Sequence, residues 1–121
     1  MNGGKDNAIL RLTFDFALNI IKYTELLEQK GKFIVARQLL KAGTSIGANA
    51  REAQNCESAS DFIHKFKISA KEADETEYWL MLCKYSESYP DCNLLLSNIV
   101  EIKKVLNKII STSKKQIKSN N

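Results

Sequence analysis

Gln38-Leu39-Leu40-Lys41-Ala42-Gly43-Thr44-Ser45-Ile46-Gly47-Ala48-Asn49-Ala50-Arg51-Glu52-Ala53 is the stretch on which the fold of this chain turns. Leu39, Ala42, Ile46, Ala50 and Ala53 recur at steps of three and four, and Val35 extends the series backwards, so they share one face of a helix. That face is made largely of small residues. Gly43 and Gly47 lie inside the helix, where each costs ~1 kcal/mol relative to alanine. Close approach of another helix offsets such a cost, and the sequence leaves open whether that helix belongs to the same chain or to another subunit.

Working outward, the same period appears three more times. Before the central helix, about residues 7–30 carry Ile9, Leu12, Phe16, Ile20, Tyr23 and Leu27 on one stripe. Asp6 or Asn7 is placed to cap its start, and Gly31 supplies the permissive residue at its end. The central helix itself is expected over about residues 33–56. After it, Ser58 or Ser60 opens a third segment with Asp61 near the positive helix end and a stripe of Phe62, Phe66, Ser69, Ala73, Thr76, Leu80 and Cys83. Tyr89-Pro90-Asp91 breaks the pattern, because proline is tolerated in the first turn of a helix and hardly deeper. Leu95, Ile99, Ile102, Leu106 and Ile109 then alternate in steps of four and three, which is a heptad seam. Short connections between long helices force antiparallel neighbours. The expected architecture is one all-α domain over residues 1–121, an antiparallel up-down-up-down four-helix bundle. A short flexible N-terminus and a disordered basic tail from about residue 113 are expected at its ends.

The 44% hydrophobic and 26% charged shares are those of a globular chain, which excludes wholesale disorder. The formal net charge of +4 is unevenly placed. Residues 101–121 hold six lysines, Lys103, Lys104, Lys108, Lys114, Lys115 and Lys118, against Glu101. The basic excess thus belongs to the last helix and tail, the kind of segment that attracts polyanions. The three cysteines, Cys56, Cys83 and Cys92, fall in no CxxC spacing and read as buried small apolar groups rather than as a disulfide framework or zinc site. The opening residues lack the apolar core of a signal peptide, and no segment approaches the ~20 apolar residues that span a bilayer. A cytoplasmic location without a membrane partner is expected.

The central stretch strongly resembles the signature of the 23S rRNA intervening-sequence protein family, which reads approximately Q-L-x-[RK]-[SA]-x-x-S-I-x-A-N-I-A-E-G in its second helix. A second likeness runs from Phe62 to Leu80, with an aromatic start, a small-residue stripe and a Glu-rich run closing on Tyr78 and Leu80. Ala50, Arg51 and Ala53 depart from the pattern, standing where the family usually has Ile, Ala and Gly. Loss of that glycine is expected to lengthen the second helix. The resemblance implies a four-helix bundle assembled as a cyclic homo-oligomer, a pentamer. The chain also looks like the accessory protein of diversity-generating retroelements, which implies RNA, DNA or a reverse transcriptase-like protein as partners.

Ser45, Asn49 and Glu52, at steps of four and three, share one helix face. Such groups bind a ligand or partner, or hydrogen-bond the neighbouring helix and fix its register. The second use is preferred here. Glu72, Asp74, Glu75 and Glu77 invite a metal reading, but a di-metal bundle site needs Glu-x-x-His on two helices and His64 is the single histidine. These carboxylates are expected to pair with Lys67 and Lys71 across helical turns. One histidine also precludes a convincing catalytic triad, and Gly43-x-x-x-Gly47 lacks the lysine of a phosphate loop. Trp79 is expected to be buried. The reading is a non-enzymatic homo-oligomeric scaffold without cofactor or metal. Lys103, Lys104 and Lys108 are its candidate contacts to nucleic acid or a nucleic-acid enzyme. The alternative is a small-molecule- or protein-binding regulator that uses Ser45, Asn49 and Glu52.

Overall fold

In the computed structural model, which describes residues 4–120, the four periodic segments are four helices: α1 (Gly4–Gln29), α2 (Phe33–Ala53), α3 (Ala59–Tyr85) and α4 (Asn93–Asn120). Connections of residues 30–32, 54–58 and 86–92 reverse the chain each time. Contacts run α1–α2, α2–α3, α3–α4 and α4–α1, and none join the diagonals. This is the all-α, up-down-up-down bundle the periodicity calls for. The expected flexible N-terminus lies in part outside the described residues.

The turns follow local chemistry. Gly31 adopts φ +78°, with its N–H on the Glu28 carbonyl and the Lys32 N–H on that of Leu27, the Schellman closure that glycine makes without strain. Ser58 caps α3 by accepting the Asp61 N–H at 3.0 Å. Three boundaries differ from expectation. Helix α1 already includes Asp6 and Asn7, so neither sits at its cap. Helix α2 stops at Ala53, with Asn55 and Cys56 closing tighter turns onto the Glu52 and Ala53 carbonyls, so loss of the family's glycine does not lengthen it. The tail expected from about residue 113 is instead helix to Asn120. Its low-turn composition, with Ile110 and Ile117 half-buried, continues the α4 pattern two turns further.

The core joins all four stripes, with Phe16, Ile20, Leu39, Ile46, Phe66, Leu80, Ile99 and Leu106 among its fully enclosed members. Three positions shift by one residue. Thr13, Ala36 and Ile63 are buried, where Leu12, Val35 and Phe62 are only half-buried. Thr13 tolerates burial because its hydroxyl donates to the Ile9 carbonyl at 2.8 Å. The two α2 glycines are explained inside the chain. A Cβ on Gly43 would meet Ile20 Cγ1 at 2.9 Å, and one on Gly47 would meet Thr13 Oγ1 at 3.0 Å. Close approach of α1 therefore offsets their cost, and no second subunit is needed for it.

Candidate functional site

Ser45, Asn49 and Glu52 do share the flank of α2 that leans toward α3, but they do not converge on a common point. The Ser45 hydroxyl donates to the Lys41 carbonyl at 2.6 Å. Asn49 Nδ2 donates to the Ser45 carbonyl at 2.9 Å. Only Glu52 reaches the next helix, through an ion pair with Lys65 Nζ at 2.6 Å. The buried polar bond between α2 and α3 is made by a residue not singled out for it: Ser69 donates to the Ile46 carbonyl at 2.8 Å. Its signal was present, since a serine on an otherwise apolar core stripe has to find an acceptor.

The α4 lysines separate into two groups. Lys103 turns toward α3 and sits 2.7 Å from Glu77 and 3.0 Å from Asp74. Those carboxylates, Glu77 first, hold its ammonium above the usual lysine range. The acidic run thus pairs across helices with Lys103 rather than along α3 with Lys67 and Lys71. Lys104 and Lys108 point to solvent, as do Lys114, Lys115 and Lys118 on the added turns. None of these five forms an ion pair among the described residues. The outward basic strip is therefore Lys104, Lys108, Lys115 and Lys118, at helical steps of four, seven and three. Three of the tail lysines were assigned to a disordered tail, which hid the strip from the sequence reading.

At the other end of the bundle, Tyr23, Cys83 and Cys92 form an enclosed cluster. The Cys92 thiol donates to the Leu80 carbonyl at 3.3 Å. Burial pushes the Cys83 thiol up to about 11, raises Cys92 and moves Tyr23 far above the usual phenol range. Such thiols are poor nucleophiles. Cys56, expected to be buried with them, is only partly covered.

Two apolar surfaces remain unpartnered. Between α1 and α2 lies a groove whose floor is Ala17, Gly47 and Ala48 and whose wall is Leu10 and Phe14, with Arg51 at one end. Phe14 is 54% exposed, and Leu18, Ile21 and Leu40 extend the surface along the same two helices. Along α3, Tyr78, Met81, Leu82 and Tyr85 form an outward stripe, with Tyr78 59% and Tyr85 74% exposed. Trp79 is half-buried beside it, its indole N–H on Glu75 at 3.3 Å. The sequence did carry the first signal, because Leu10, Phe14, Ala17, Leu18 and Ile21 form a second helical series beside the core stripe. Among the described residues, no three His, Cys, Asp or Glu side chains gather as metal ligands, and no helix is long and apolar enough to cross a membrane.

A chain of this kind is an antiparallel helical bundle whose polar motif is bound up in its own backbone and whose chemistry lies on its outer faces. It belongs to the 23S rRNA-intervening sequence protein family, whose model matches residues 5–108. It is also similar to the crystal structure of a protein of unknown function from the S23 ribosomal protein family of Bacteroides thetaiotaomicron. The TM-score is 0.83 at 40% identity, over 89% of this chain and 99% of that one. No curated protein matches.

Proposed function

We propose that the protein is a non-enzymatic scaffold that works as a homo-oligomer, a ring in its simplest closed form. The observation that carries this reading is the α1–α2 surface: a soluble monomer seldom exposes a contiguous apolar patch of this kind without using it. The glycines no longer argue for assembly, since α1 accounts for them. The reading is tested by sedimentation of the chain from nanomolar to tens of micromolar. An oligomer that dissociates on dilution supports it, and a monomer throughout overturns it.

A second reading is favoured by the α4 strip. Lys104, Lys108, Lys115 and Lys118 form an unpaired cationic row suited to a phosphate backbone, and assembly would multiply it by the subunit number. Binding of RNA or DNA through such a row is sequence-independent and salt-sensitive. The reverse transcriptase-like partner implied by the retroelement likeness would be met through nucleic acid held on that row. The regulator alternative has less support, because Ser45 and Asn49 are engaged by their own helix.

A further inference from the structure

We infer that two copies of this chain join head to tail, the α3 stripe of one copy seated in the α1–α2 groove of the next. The inference rests on the self-assembly proposed above and names its surfaces. The two surfaces differ in shape. The groove floor is built of small side chains, Ala17, Gly47 and Ala48, which let a second backbone come close. Tyr78, Met81, Leu82 and Tyr85 follow i, i+3, i+4, i+7 spacing, the spacing of side chains that enter a groove from one helix.

Their charges differ as well. Arg11, Arg37 and Arg51 stand exposed around the groove, and none of them forms an ion pair among the described residues. Asp74 and Glu75 stand exposed one turn before Tyr78. Opposite charge rims of this kind orient an encounter and fix its register.

Their placement excludes one closed contact that uses both. Helix α3 touches α2 and α4 and not α1, and its exposed stripe turns away from the groove. A two-fold contact of groove on groove would leave the α3 tyrosines bare. A head-to-tail contact covers both surfaces on every subunit, and such contacts close into rings when the rotation allows.

The test is complementation between two variants. Phe14→Glu/Ala48→Glu spoils the groove and keeps the stripe. Tyr78→Lys/Leu82→Lys spoils the stripe and keeps the groove. All four positions are exposed, so both variants are expected to keep the wild-type helical circular dichroism. Each alone should lose assembly and run at the single-chain mass of 13.7 kDa. Mixed at equal, high micromolar concentration they retain one intact groove and one intact stripe, and should give a species of twice that mass. Recovery in the mixture also shows that neither variant is misfolded. If wild type assembles but the stripe variant assembles equally well, or the mixture stays at the single-chain mass, the head-to-tail contact is wrong and the scaffold reading stands. A wild type that is itself monomeric overturns both.

Discussion

The Tyr23 hydroxyl donates to the carbonyl oxygen of Pro90 at 2.7 Å, tying α1 to the connection between α3 and α4 across 67 residues of sequence. Proline cannot donate in return, so its carbonyl is the one backbone group with which this residue can anchor the connection. The bond fixes the loop on the bundle end where Cys83 and Cys92 are enclosed. Replacing Tyr23 by Phe leaves that half-buried carbonyl without its partner and should cost roughly 1 kcal/mol, or about 4 °C in melting temperature. The same cluster sets an alkaline limit. Cys83 is held up to about 11 from an ordinary 9.0, so the folded state keeps its proton where the unfolded chain loses it. Stability should therefore be full below about pH 9 and fall as pH rises toward 11. Urea titrations at pH 7, 9 and 10.5 would check this; a flat profile contradicts it.

Gly43 gives a prediction opposite in sign to helix propensity. Alanine gains ~1 kcal/mol in a helix interior. At this position its Cβ would stand 2.9 Å from Ile20 Cγ1, and crowding a packed core costs ~1–3 kcal/mol. Gly43→Ala should destabilise the bundle. The loss should shrink when Ile20 is also changed to Ala, because the two sites are in contact. A stabilised Gly43→Ala variant would refute the packing described.

The motif residues should matter less to stability than Ser69. Glu52→Ala and Asn49→Ala remove an exposed ion pair and a bond within one helix, and should leave the melting temperature within about 3 °C of wild type. Ser69→Ala removes the buried bond to the Ile46 carbonyl and should cost about 1 kcal/mol. Thermal melts of the three variants side by side decide the order.

The α4 lysines should separate in a nucleic-acid titration. At low salt, a Lys104→Ala/Lys108→Ala/Lys115→Ala variant should lose most of any RNA or DNA affinity. Lys103→Ala should leave it nearly unchanged, because that ammonium is already neutralised by Glu77 and Asp74. Binding that survives the triple change, or fails to weaken as salt rises, excludes the phosphate-backbone reading.

Fold and site were unequally legible in the sequence. Periodicity placed four helices because burial on one stripe is what long helices of this composition require. It missed by one residue at Thr13, Ala36 and Ile63, where neighbouring positions compete for the same face and the partner helix decides. The end of α4 was lost because polar composition was read as disorder. Residues 45, 49 and 52 were correctly placed on one face, but spacing cannot show which hydroxyl or amide turns back onto its own helix. The groove beside Phe14 was visible as a second apolar series, yet only the packed bundle shows that this series has no partner.

Self-assembly is the claim on which the functional account rests, and native mass by light scattering tests it most directly. Wild type at micromolar concentration should have a mass several times the 13.7 kDa of one chain. The Phe14→Glu/Ala48→Glu variant, with unchanged helical content, should fall to the single-chain value. A wild-type mass of one chain across the micromolar range would contradict the account.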